Sequence, residues 1–178
     1  VRAGIPVAVT GVMLRDSGAE VIKLEPPEGD PSRQLSGHRS WNRGKKSVVL
    51  DDSDPRYAEL LASADVILVG GSRSRLEGYS AREDQIIAFA PPYADAEPYS
   101  KLPEDDELAS ALSGVLAGTA AYRDGPAFPV LQTISLAAGG TLSVAVAAAI
   151  KVLQKTGKGQ EVKVPWSTIG AYIAAYQA

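Results

Sequence analysis

Gly18-Ala19-Glu20-Val21-Ile22-Lys23-Leu24-Glu25-Pro26-Pro27-Glu28-Gly29-Asp30-Pro31-Ser32-Arg33 decides the fold of this 178-residue chain. Gly18 stops a helix predicted over Thr10–Ser17, because glycine accepts the left-handed conformation in which helices end. A strand follows over Val21–Glu25. Pro26 and Pro27 end it, since proline cannot continue a hydrogen-bonded ladder. The polar segment Asp30–Arg43 then reads as a long loop, the kind that carries function in compact domains.

The same grammar repeats downstream. Ser47–Asp51 reads as a strand. Asp54 and Pro55 start a helix through Ala62, with aspartate as N-cap and proline in the first turn. Asp65–Val69 and Ile86–Ala90 read as apolar strands. Short apolar strands alternating with helices predict an α/β domain: a Rossmann-like parallel sheet flanked by helices. Ligands in such sheets bind outside the carboxyl ends of the strands. The Pro26–Arg33 and Gly70–Arg75 loops are expected there. No G-x-G-x-x-G opens the first helix, so no nicotinamide or flavin site is expected.

Beyond Asp105 the composition shifts. Leu108–Ala117 reads as a helix, and Gly125-Pro126 marks a loop. Leu136–Gln154 reads as a long alanine-rich helix, small on several faces and so expected to be buried between neighbours or in a subunit interface. After the Thr156–Gln160 turn, Glu161–Val164 and Pro165–Tyr176 form a short C-terminal strand-helix unit. The uncharged run Phe128–Ile150 invites a membrane reading, but alanine gains little in lipid, so a buried helix of a soluble domain is expected.

The composition, 45% apolar and 22% charged, is that of one globular domain. A net charge of −3 argues against general nucleic-acid binding. There is no cysteine, which excludes disulfides and thiolate chemistry, and His38 is the single histidine, too few for an ordinary zinc site. The start carries no basic region followed by an apolar block, so no signal peptide is read and a cytoplasmic protein is expected.

Several blocks resemble the N-terminal half of the family III CoA-transferases, the group that includes formyl-CoA transferase, carnitine CoA-transferase and the α-methylacyl-CoA racemases. These are Gly18–Arg33, Asn42–Asp51, Ala64-Asp65-Val66, Ala111–Gly114 and Lys155–Gln160. The resemblance implies coenzyme A or acyl-CoA as substrate, carboxylic acids as co-substrates, CoA transfer between them, and a homodimer or a partner domain. The residues themselves give no support for a metal, nicotinamide or flavin, and no membrane partner is expected. Full family members are about twice as long, so residues 1–178 are expected to be a fragment or one domain of a longer protein.

Arginine offers a planar, permanently charged fork suited to phosphate. Arg33 matches the family's CoA-site arginine, and the alternative reading is a solvated loop arginine. Asn42, Arg43, Lys45 and Lys46, around Gly44, match a segment beside the nucleotide end of CoA. Their alternative is a solubilising turn. Arg73 and Arg75 follow the third strand, where the family has Asn-Phe-Arg-Pro-Gly, and the match there is partial.

The reaction centre departs from the family. Where an Asp-Leu-x-x-Gly motif opens the long helix, this chain has Ser135-Leu136-Ala137-Ala138-Gly139. The family's aspartate attacks the acyl-CoA thioester. A carboxylate suits this step because its adduct is still an activated acyl group, whereas a serine needs a base. Ser135 is therefore either a nucleophile or a helix N-cap. The racemase alternative needs a histidine and an aspartate. Those positions hold Asp105 and Ser135. Asp105 either moves a proton or, with Glu104, Asp106 and Glu107, supplies charge to a helix N-terminus. Pro91 and Pro92 stand where the family has a glycine-rich thioester loop, stiffening it and removing donors. This chain alone is expected to lack ordinary transferase activity, leaving a non-catalytic CoA-thioester-binding or partner-subunit role as the alternative.

Overall fold

A computed structural model describes residues 4–71, 76–94, 99, 102–119, 125, 127–129 and 131–176. Arg73, Arg75 and most of the predicted Gly70–Arg75 loop lie outside these residues, as does Pro126.

The helices are α1 (Ile5–Asp16), α2 (His38–Trp41), α3 (Pro55–Ser63), α4 (Asp106–Leu112), α5 (Val115–Gly118), α6 (Thr133–Thr156) and α7 (Trp166–Ala174). The strands are β1 (Ile22–Glu25), β2 (Lys46–Val49), β3 (Val66–Gly70), β4 (Ile86–Ala90) and β5 (Glu161–Lys163). All strand pairs are parallel, with Leu24 opposite Val48, Leu68 opposite Ala88, and Ala88 opposite Val162. The expected single sheet is two hydrogen-bonded sheets, β1-β2 and β3-β4-β5.

Strand β4 shows why the sheet is sandwiched. Ala88 and Ala90 join one buried cluster with Val7, Ala138, Leu142, Val146 and Trp166. Ile87 and Phe89 join another with Leu61, Ile67, Val69 and Leu76. A strand buried on both faces reads as a continuous apolar run, which is what Ile86–Ala90 is.

Several boundaries move for physical reasons. Helix α1 starts at Ile5 rather than Thr10: Pro6 lies in the first turn, where its missing N–H costs nothing. Tertiary packing holds the β-branched residues that follow. Gly139 on α6 lets this happen, since a Cβ there would come within 2.7 Å of the Pro6 carbonyl oxygen and Val9 Cβ. Thr10 Oγ1 lies 2.9 Å from the carbonyl oxygens of both Pro6 and Gly139, its one proton shared across the crossing. The Asp30–Arg43 loop contains structure after all. Asp30 Oδ1 accepts from Ser32 N–H and caps a 3-10 turn over Pro31–Gln34, and α2 follows. The predicted Leu108–Ala117 helix is broken in two by Gly114 at φ 86°.

Among the described residues α6 is the one helix long and apolar enough to cross a membrane. Here Ile134, Ala138, Leu142, Val146 and Ala149 form its buried stripe against α1, β4 and α7. Within this chain its burial is one-sided, with Val144 70% exposed. After it, Gly157 at φ 69° ends the helix. Gly159 then passes so close to Gln85 that a Cβ would lie 2.0 Å from its carbonyl oxygen. The Thr156–Gln160 turn is thereby the device that lays β5 beside β4.

Candidate functional site

The stretch that opens the sequence builds a buried ionic network at the carboxyl end of β1. Alternation along the strand puts Lys23 and Glu25 on one face, 7% and 3% exposed. Lys23 Nζ lies 2.5 Å from Asp30 Oδ2 and 3.5 Å from Glu25 Oε1. Arg33 reaches back over the Pro26-Pro27 turn and forks onto Glu25, with Nε at 3.0 Å and Nη2 at 2.7 Å from Oε2. Ser47 Oγ on β2 donates to Glu25 Oε1 at 2.7 Å. Burial alone would raise Glu25, but the Ser47 and Arg33 hydrogen bonds and the Lys23 and Arg33 charges hold its pKa at about 2. Burial also works to raise Asp30. Lys23 and Ser32 outweigh it, and the carboxyl stays below its usual value.

Next to this network, Arg33, Gln34, Leu35, Ser36, His38, Arg39 and Asn42 line an open depression of about 640 Å³. Arg33 Nη1 makes no hydrogen bond with any described residue, and neither Arg39 nor its guanidinium is ion-paired among them. Ser32 Oγ and His38 Nδ1 are 2.9 Å apart, and Asn42 Nδ2 donates to the His38 carbonyl at 3.0 Å. Burial, and then the charge of Lys23, push the His38 pKa below its usual value. Sequence reasoning selected Arg33 and Asn42 and missed Arg39. Its signal was a second arginine one short helix along from the first.

The other predicted cations separate from this depression. Arg43 pairs with Asp16 at the end of α1. Lys46 pairs with Glu20 at 3.0 Å. Lys45 turns inward, donating to the Ala8 carbonyl at 2.7 Å and to Asn42 Oδ1 at 3.1 Å. Gly44, at φ 71° under the Arg15 guanidinium, sets the bend that sends these three side chains different ways.

Ser135 and Asp105 meet through a residue the sequence did not single out. The N-cap reading of Ser135 is corrected: α6 begins at Thr133 with Gln132 as N-cap, and Ser135 sits fully buried in the first turn. Gln132 makes no side-chain cap bond, and Asp106 supplies one instead, its Oδ1 accepting from Ser135 N–H at 2.7 Å. Ser135 Oγ donates to the Gln132 carbonyl at 3.3 Å. Asp105 caps its own helix α4, with Oδ1 accepting from Leu108 N–H at 2.8 Å. The acid block thus divides between two helix N-termini. His38 contacts Ser32 and Asn42, not Ser135. The Pro91-Pro92 loop is used through its carbonyls. Trp166 and Ser167 N–H, the first donors of α7, reach Pro91 O at 3.0 Å and Pro92 O at 2.9 Å.

The sequence model described as CoA-transferase family III matches residues 3–178. A probable fatty acyl-CoA transferase of Mycobacterium tuberculosis, Rv3272, is 27% identical over 95% of this chain and 49% of its own length. An acetyl-CoA:oxalate CoA-transferase of Acetobacter aceti is 31% identical over 85% of this chain and 45% of its own. The human succinyl-CoA:glutarate CoA-transferase is 31% identical over 82% and 38%. A crystal structure of Rv3272 superposes with a TM-score of 0.86 at 28% identity, covering 98% of this chain and 53% of that one. The chain spans about half the length of these relatives or less.

Proposed function

This chain belongs to CoA-transferase family III, and from that premise we propose that it binds a coenzyme A thioester at the depression beside β1, as part of a protein that moves CoA between carboxylic acids. The observation that carries the reading is that Arg33 and Arg39 both line that depression. Arg33 is oriented by Glu25 with one edge open, and Arg39 has no competing carboxylate among the described residues. Phosphate groups need such cations, and a guanidinium held in place by a carboxylate loses less side-chain freedom on binding. Arg43, paired with Asp16 at the end of α1, and Lys46, paired with Glu20 of the α1–β1 connection, serve the phosphates only if those pairs open.

On this reading no acyl-accepting carboxylate stands at position 135. Ser135 is buried, its hydroxyl is directed at Gln132, and no histidine touches it. These facts favour a second reading, in which the chain binds thioesters and leaves covalent chemistry to a partner copy or domain. We place the protein in the cytoplasm as a homodimer or a partner-domain assembly. Asp105 as a racemase base has little support, since its carboxylate caps α4.

Calorimetry with CoA tests the site. Arg39→Ala should weaken binding several-fold and reduce its salt dependence, as loss of one phosphate-facing charge does. Arg33→Ala should do the same with an added loss of stability. Unchanged affinity in both variants would refute the site. Hydroxylamine trapping during acetyl-CoA incubation then separates the two readings: no adduct from the unaltered chain, and one from Ser135→Asp if the carboxylate alone is missing. Turnover by the unaltered chain that Ser135→Ala abolishes would overturn the binding-only reading.

A further inference from the structure

A cavity of about 490 Å³ opens between the two sheets, walled by apolar side chains that include Val7, Leu14, Leu24, Val66, Leu68 and Ile150. Lys45 lines it from the α2–β2 connection, far from the solvated role expected of a loop lysine. Its Nζ has two hydrogen-bond acceptors, the Ala8 carbonyl at 2.7 Å and Asn42 Oδ1 at 3.1 Å, and no carboxylate partner among the described residues. A neutral amine has two N–H donors, so both acceptors are served and the lone pair is left over. Gly11 makes the space: a Cβ there would lie 3.2 Å from Nζ.

We propose that Lys45 is an acyl-acceptor site, its amine taking an acyl group from a thioester whose acyl chain enters the apolar cavity. The amine nitrogen attacks the thioester carbonyl, the C–N bond forms as the C–S bond breaks, and the amine proton leaves with the thiolate, giving an amide and a free thiol. Nothing is oxidised or reduced. The supply of acyl-CoA rests on the function proposed above, whereas the reactivity of the amine does not.

The surroundings favour the neutral form. Burial, reinforced by the charge of Lys23 and only partly opposed by Asp30, brings Lys45 down to about 8. Glu25 lies behind Lys23, Glu20 and Asp65 line the cavity with no recorded contact to Nζ, and the α1 residues that line it, Val7, Ala8, Gly11 and Leu14, carry no titratable group. At pH 7.5 such an amine is neutral roughly 200-fold more often than one at 10.5. Nucleophilicity falls with basicity, as it does for thiols, which leaves about a tenfold advantage over surface lysines.

The test uses the unaltered chain and site-resolved mass spectrometry after incubation with two probes, S-acetyl-N-acetylcysteamine and acetyl-CoA. With the small thioester, Lys45 should acetylate about tenfold faster than exposed Lys46, Lys151 and Lys155, with a rate that levels off above pH 8 to 9. Lys45→Arg should abolish that adduct and leave the others. Saturable, faster labelling by acetyl-CoA supports both the acceptor and the CoA site. Labelling by the small thioester with no gain from acetyl-CoA supports Lys45 and counts against the CoA site. Labelling of Lys45 no faster than that of the surface lysines with either probe overturns the proposal, whatever calorimetry shows for CoA.

Discussion

Replacing Glu25 with glutamine should cost the fold about 3 kcal/mol at neutral pH and should flatten its acid response. The carboxyl moves from 4.5 when unfolded to about 2 when folded, which by linkage is about 3 kcal/mol of stability. The pKa is lowered, so this contribution is fully present above about 4.5 and is lost as the pH falls toward 2. A glutamine keeps the shape and one acceptor for Ser47 or Arg33. It removes the charge that Lys23 and Arg33 share, and breaking a buried pair from one side is costly. Urea unfolding from pH 7 to pH 3 measures the effect. The gap between the parent chain and Glu25→Gln should be about 3 kcal/mol at pH 7 and should shrink by more than half by pH 3. Thermal midpoints at pH 7 should differ by roughly 6 to 12 °C for a chain of this size. A gap that stays constant from pH 7 to pH 3 would refute the reasoning, because it would mean that shape rather than charge is lost.

Three other outcomes follow from the packing. Gly139→Ala should destabilise by about 1–3 kcal/mol, as overpacking does, since the new Cβ meets Pro6 and Val9, while Gly140→Ala, with nothing within 4 Å, should be neutral or slightly stabilising in thermal melts. Asp106→Ala should cost about 1 kcal/mol and speed hydrogen exchange in the first turn of α6, and Asp106→Asn, which keeps an acceptor for Ser135 N–H, should recover most of it. Trp166→Phe should cost about 1 kcal/mol in urea unfolding, because the Ala90 carbonyl loses the Nε1 donor at 2.9 Å inside the core and is left with the Gly71 N–H at 3.2 Å.

Glu25 and Arg33 show how a legible motif can hide its own use. Their spacing across Pro26-Pro27 was visible, and so was the arginine's fitness for an anion. That the nearest anion is Glu25 itself was not, because whether the turn folds the fork back onto the strand depends on where β2 and Ser47 lie. The cations Arg43, Lys45 and Lys46 were read as one group because they are adjacent in sequence. Adjacent residues around a left-handed glycine diverge, and their destinations lie on α1 and on the α1–β1 connection, some 25 to 40 residues earlier.

The split into two sheets and the break at Gly114 aside, residue patterning located the strands, the helix stops and the helices that flank the parallel strands. Those depend on local chemistry: proline without a donor, glycine at positive φ, and an unbroken apolar run such as Ile86–Ala90 that must be covered on both faces. Tertiary structure decided which polar groups meet. Four successive acids around the start of α4 look equivalent along the chain, yet Asp105 caps α4 and Asp106 caps α6, displacing the expected cap at Ser135. The choice belongs to the packing of α4 against α6, because a buried N–H at a helix start takes whatever acceptor the neighbouring element brings within 3 Å. No pattern in the sequence of one element records that approach.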